Sequence, residues 1–475
     1  MAFNTAAFFI FWFVLYLLFL AGGKSNSWKI GILLIGNLFF FTWLTEYAVL
    51  ILLAASALDF TIAKGIQKQH SDLAKKWLMR SSVLLNIGLI LTFRHISDWL
   101  HLNDMEAATH FPIPLHFIGV SFYAFRSMSY VFDVYYENIE EPETNLLHYW
   151  TYASFFPLML SGPIAGAENF LQKIRSSEWR ISTKDLSMGA FFISSGIIKK
   201  FIIGNYLSIN FIDRVFESAS FFTSMEVFIA SILQTFALYF DFSGYTDIAI
   251  GLALWLGFQI PQNFNFPFFA QNVTDYWKRW HITLSQWFNA YVYFPLSYTL
   301  RSWKRLGTSL SVFVVFAISG FWHGTAPNYW LWGIMHALCM VWDVYTANWR
   351  SSWRQFIPKW IYAPVSVFLT FGFLTYSGVY FKSRSIEDAN VMIQKITEGV
   401  DWSLWTDWYE LYSGVLWMAA IGIAGHYFIA PVYAKLESWI SRRSFLLSAL
   451  MLFVVIFVAY QFNRLGSLPF YYLQF

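Results

Sequence analysis

DYWKRWHITLSQWF (Asp275–Phe288) and, further along, SGFWHGTAPNYW (Ser319–Trp330) each set one histidine among tryptophans, beside apolar runs long enough to enter a membrane. The first holds His281, the second His323, the latter between Trp322 and Gly324. An ionisable side chain at membrane depth is costly to keep, so it points first to chemistry or transport. Gly324, Ala326 and Pro327 follow His323. Small and helix-breaking residues there let a ligand come close to the backbone.

Composition fixes the environment of both stretches. Of 475 residues, 57% are hydrophobic and only 12% charged, against roughly 25% charged in soluble proteins. The chain is expected to be an all-α integral membrane protein. Aromatic residues reach 22%, too many for interfacial belts alone, so many must line the helix bundle. The net charge is +3 without a basic run, which leaves no signal for nucleic acid. Cys339 is the only cysteine, so no intrachain disulfide can form and no cysteine-based metal site is expected.

Apolar runs of spanning length fall at 5–21, 30–45, 47–62, 81–100, 117–133, 186–205, 226–256, 306–323, 329–346, 361–381, 411–430 and 445–463. That gives about 11–12 transmembrane helices. Residues 1–21 lack the basic start of a signal peptide and read as a retained first span. Lys64, Lys68, Lys75, Lys76 and Arg80 mark one inside loop, and Arg301, Lys304 and Arg305 another. With twelve spans both termini face outside. Residues 1–463 form one membrane domain, and 464–475 an extracytoplasmic aromatic tail.

Two stretches depart from simple spans. Ser154–Phe170 carries Pro157, Gly162, Pro163 and Gly166 within an apolar segment, so a broken, re-entrant element is expected. Gln259–Phe269 is rich in Asn and Pro, and a helix then starts with Asn272 or Thr274 as its cap. From there Trp277, Trp280, His281, Leu284 and Trp287 recur at helical spacing, which predicts one amphipathic interfacial helix with His281 on its apolar stripe.

From the residues alone, His323 is either a general base or a buried histidine bonded to a backbone carbonyl. An imidazole suits base chemistry because its ordinary pKa lies near neutrality. His336 is expected to stand well apart from His323 around a helix, and no third ligand suggests a metal. Asp241 and Asp247 flank Ser243–Gly244, read as a helix break where they bond backbone. Lys278 and Arg279 suit either the phosphates of a coenzyme A-like donor or anionic lipid. Trp280 between them and His281 completes the donor-contact candidates.

Taken together, DFSGYTDIAIG (Asp241–Gly251), QNFNFPF (Gln262–Phe268), DYWKRWHITLSQW (Asp275–Trp287), YVYFPL (Tyr291–Leu296) and FWHG (Phe321–Gly324) resemble the membrane-bound O-acyltransferases. Within that family the chain is similar to the bacterial polysaccharide-modifying branch. The resemblance implies a ring of helices around a central catalytic tunnel, His323 as the catalytic histidine and His281 as a second histidine on the donor side. The terminal LPFYYLQF (Leu468–Phe475) looks like the aromatic tail of acetylating members. There a tyrosine, Tyr472 by its place in the motif, relays the acyl group; Tyr471 stands where an aliphatic residue is usual and is the other candidate.

The implied activity is O-acetylation of an extracytoplasmic polysaccharide, such as alginate or peptidoglycan. Acetyl-CoA would be the donor and a separate esterase-like transferase the partner, at the bacterial inner membrane amid its lipids. Two rival readings remain: a D-alanyl transferase fed by a carrier protein for teichoic acid, and a non-catalytic transporter or flippase of the acyl donor. Broken helices around a deep ionisable residue also suit a transporter.

Overall fold

The computed structural model describes residues 3, 5–45, 48–96, 119–176 and 179–462. All their regular structure is helical. Among the described residues, eight helices are long and apolar enough to cross a membrane: Asn26–Thr45, Ala48–Lys68, Thr183–Glu217, Ser224–Trp255, Arg301–His323, Lys359–Lys382, Trp402–Ser441 and Phe445–Phe462. The protein is thus a multi-pass membrane protein. These match eight of the twelve expected runs, and Ala7–Ala21 is a shorter apolar helix at a ninth. The other three runs coincide with helices that are shorter or more polar. Asp72–Ile90 opens with Lys75, Lys76 and Arg80, Val120–Tyr135 has 16 residues and carries Arg126 and Asp133, and Pro327–Phe356 is interrupted by Asn328, His336 and Asp343.

The chain divides into two compact units. The first comprises Met1–Ile193 and Ala249–Pro261. Its early helices close on a carboxylate: Asp59, fully buried, accepts hydrogen bonds from Ser82 Oγ (2.6 Å), Asn86 Nδ2 (2.9 Å) and Ser127 Oγ. A buried carboxylate is tolerable only when its oxygens are so occupied. These bonds tie the Ala48–Lys68, Asp72–Ile90 and Val120–Tyr135 helices together.

The Gly/Pro-punctuated segment is broken, as its residues require. A single turn, Phe156–Met159, is followed by non-helical backbone and then the Ala167–Arg175 helix. Side chains take up the backbone groups this frees: Phe156 N–H donates to Asn37 Oδ1 (3.1 Å) and the Tyr152 hydroxyl to the Ala165 carbonyl (3.3 Å). Gly119 lies against this turn at φ 87°, where a Cβ would meet the Met159 carbonyl at 2.7 Å, so only glycine fits. Phe170 stacks on Phe258 at 4.1 Å with Phe155 edge-on to both.

The second unit comprises Ser194–Ile248 and the described residues from Gln262 onward. Within it Ile198–Gly204 is π-helical, a widening that often accompanies functional positions. Lys199 and Lys200 project from this stretch toward the Ser224–Trp255 helix. Lys199 pairs with Asp247 at 2.7 Å, Ser195 Oγ donates to the same carboxylate, and Lys200 pairs with Asp241. Gly196 and Gly244 let the backbones meet, since a Cβ on Gly244 would lie 2.8 Å from the Gly196 carbonyl. This corrects the reading of Asp241 and Asp247. Ser243–Gly244 is no break but lies inside one continuous helix, and the aspartates neutralise half-buried Lys199 and buried Lys200 rather than bonding free backbone.

Candidate active site

His323 is the last residue of the Lys304–His323 helix, and Pro327 begins the Pro327–Phe356 helix just beyond it. Gly324, extended at φ 169°, and Ala326 make the connection, and proline is pre-shaped for a first helical turn. The two helices pack closely because Gly320 and Gly333 face each other: a Cβ on Gly320 would lie 2.7 Å from the Tyr329 carbonyl, and one on Gly333 2.7 Å from the Phe316 carbonyl. This hairpin sets the imidazole at a helix C-terminus, whose carbonyls favour positive charge.

The ring is 4% exposed and boxed by aromatics. Trp322 lies 4.6 Å away, while Trp332 and Phe381 present their rings nearly perpendicular at 5.1 and 5.0 Å. Phe381 comes from the Lys359–Lys382 helix, which Asn328 clamps by donating to the Tyr380 and Ser383 carbonyls (3.1 and 2.8 Å). Such a box excludes water and can hold an imidazole ready to accept a proton that later returns to a leaving group.

His336 belongs to the same cluster. Its ring lies 4.7 Å from Trp332, the indole that also faces His323. A hairpin rather than one continuous helix joins His323 to His336, and both rings touch Trp332. Trp277 Nε1–H can only donate, so His336 Nδ1 accepts from it at 3.3 Å. The proton therefore sits on Nε2, which donates to Ser377 Oγ at 3.2 Å; that hydroxyl donates in turn to the Leu374 carbonyl. His336 is a fully satisfied, neutral structural histidine. Nothing in its sequence surroundings signals this, because Trp277 and Ser377 come from distant helices.

His281 departs from the expected geometry. The segment is not one helix: Val273–Trp277 ends, the chain turns, and Ile282–Phe288 begins with His281 as its left-handed N-cap at φ 44°. Asn272 does cap the first helix, accepting from Asp275 N–H at 2.7 Å. The helical spacing of the aromatics misled because the preceding QNFNFPF loop captures this turn. Asn265 N–H donates to the Arg279 carbonyl and Ile282 N–H to the Asn263 carbonyl, both at 2.9 Å.

Asn263 Oδ1 also collects Thr283 N–H (3.1 Å), Thr283 Oγ (2.9 Å) and His281 Nδ1 (3.2 Å). An amide oxygen only accepts, so His281 Nδ1 carries the proton and the basic lone pair is on Nε2. Burial of this ring, edge-on to Phe242 at 4.8 Å, pushes its pKa down to about 3. Ring contacts run from there through Phe264, Trp280, Tyr276 and Trp277 to Trp332 beside His323. Asp343 pins this path by accepting from Thr274 N–H (3.0 Å) and Oγ (2.8 Å) while paired with Arg350 (2.9 Å).

The donor-contact candidates separate. Lys278 is exposed, Arg279 is engaged with Asp275 at 3.0 Å, and Trp280 is buried against Tyr276 and Phe264. Tyr471 and Tyr472 lie outside the described residues. Among those described, no group of three His, Cys, Asp or Glu could hold a metal ion.

Comparison with known proteins follows the same motifs. Residues 26–381 match the model of the membrane-bound O-acyltransferase family. The chain is 28% identical to the peptidoglycan O-acetyltransferase of Helicobacter pylori over 75% of its own length and 71% of that protein's. It is 28% identical to the Probable alginate O-acetylase AlgI of Pseudomonas fluorescens over 83% and 76%. To the teichoic acid D-alanyltransferase of Bacillus subtilis it is 31% identical over 56% and 70%. A family match across three quarters of the chain, with the boxed histidine of FWHG inside it, makes the protein an acyltransferase that belongs to the membrane-bound O-acyltransferase family.

Proposed function

We propose that this protein takes an acetyl group from a cytoplasmic thioester, acetyl-CoA, and delivers it across the bacterial inner membrane for O-acetylation of an extracytoplasmic polysaccharide, alginate or peptidoglycan being the type cases. His323 is the catalytic base and the Tyr472 phenol the acceptor. The imidazole removes the phenolic proton, and the oxygen attacks the thioester carbonyl. The C–S bond breaks and the departing thiolate takes the proton back from the imidazolium, leaving a tyrosyl acetate and a free thiol. A phenol with an ordinary pKa of about 10 needs such a base near neutrality. A separate esterase-like transferase then moves the acetyl group to a glycan hydroxyl.

The observation that carries this reading is the aromatic box on His323 at a helix C-terminus. His281, in its neutral form with the lone pair on Nε2, supports the donor side, and exposed Lys278 is suited to donor phosphates. The test is glycan acetylation in cells carrying His323→Ala. Acetylation should disappear while the protein stays in the membrane; normal acetylation by that variant rejects the assignment.

A further inference from the structure

The Trp405–Ile429 helix carries another buried histidine that this chemistry does not use. His426 is 4% exposed, and among the described residues neither Nδ1 nor Nε2 has a hydrogen-bond partner. Aromatic rings wall it in: Tyr239 edge-on at 5.0 Å, Phe268 at 5.2 Å, Phe266 at 5.5 Å and Phe269 at 5.8 Å, with Tyr427 beside it. Leaving a buried polar group unsatisfied costs about 1–3 kcal/mol, a penalty that leucine or phenylalanine at this position would not carry.

Three of those rings come from the loop whose Asn263 holds His281, so cage and candidate site share one scaffold. The Lys199 ammonium lies 6.0 Å from the Tyr239 ring centre and is neutralised by Asp247 at 2.7 Å. A charged ligand finds no counter-ion among the rings. A neutral imidazole offers one N–H and one lone pair, and the matching neutral group is a secondary amide, with its own C=O and N–H.

We propose that His426 is a binding residue that anchors a secondary amide of the ligand between these rings. On the reading of the donor given above, that amide belongs to the pantetheine arm of acetyl-CoA. The residue positions the donor and takes no part in bond making.

The experiment measures equilibrium binding to the purified full-length protein, comparing the unaltered chain with His426→Phe and His426→Gln. The probes are coenzyme A and its adenosine bisphosphate portion without the arm. His426→Phe should weaken coenzyme A binding roughly tenfold, the equivalent of about 1.4 kcal/mol, and leave the arm-less nucleotide unchanged. His426→Gln, which keeps a donor and an acceptor, should retain most of the affinity. Unchanged coenzyme A binding in His426→Phe, as an acceptor-side amide would give, or equal weakening of both probes, as a merely structural histidine would give, overturns the assignment. Failure of the unaltered protein to bind coenzyme A at all rejects the proposed donor itself, a different result from either.

Discussion

Trp277 donates its indole N–H to His336 Nδ1 across 3.3 Å, and this bond ties the first histidine-bearing motif to the helix that follows His323. Trp277 belongs to the stretch that leads to His281, and His336 shares the Trp332 indole with His323. The imidazole held there is a strut of the site rather than a reactant.

Replacing that strut should therefore damage stability more than chemistry. His336→Phe leaves the Trp277 N–H without its acceptor and should cost roughly 1–3 kcal/mol, read as a lower thermal midpoint in detergent. Activity per folded molecule should stay within a few-fold. Loss of all activity in well-folded protein would show that His336 takes part in the reaction.

Asn263→Ala removes the oxygen on which His281 Nδ1, Thr283 N–H and Thr283 Oγ converge. Each buried donor so stranded is costly, and the loss should exceed about 2 kcal/mol. Asn263→Asp, which keeps an accepting oxygen, should be milder. Equal midpoints for Asn263→Ala and the unaltered protein would contradict this.

The depressed pKa of His281 makes stability depend on pH. An unfolded histidine takes up its proton near pH 6.5, while the folded ring resists protonation down to about 3. Between those values the unfolded chain binds more protons, so this contribution is full above about 6.5 and falls as pH drops toward 3. The slope is at most about 1.4 kcal/mol per pH unit. Denaturation at several pH values should show this dependence and lose part of it in His281→Gln; identical profiles would mean that the ring titrates normally in the fold.

Buried Lys200 pairs with half-buried Asp241 between two helices. Asp241→Asn strands the ammonium and should destabilise by about 3–5 kcal/mol, whereas Lys200→Met with Asp241→Leu should recover most of that loss. A double variant as unstable as the single one would show that the pair matters for more than mutual neutralisation.

The membrane fold and the chemistry-bearing motifs were legible in the sequence because both are local properties: run length, charge scarcity and short residue patterns. FWHG followed by Ala326–Pro327 announced a helix end, and the structure has one there. What the sequence concealed was set by distant partners. Aromatic spacing over Trp277, Trp280 and His281 imitates a helix, yet the Asn263–Asn265 backbone captures the turn and forces His281 left-handed. Lys199 and Lys200 sit inside the run at 186–205, and nothing near them in the chain reveals Asp247 and Asp241, which face them across a glycine contact. That His323 and His336 both face Trp332 depends on the hairpin between their helices, which spacing along one helix does not show.

The most direct test of the account is mass spectrometry of the C-terminal peptide after the purified protein is incubated with acetyl-CoA. The account predicts an added acetyl group on Tyr472 in the unaltered chain and none in His323→Ala. An acetylated peptide in His323→Ala, or an unmodified one in unaltered protein that still consumes acetyl-CoA, would contradict it.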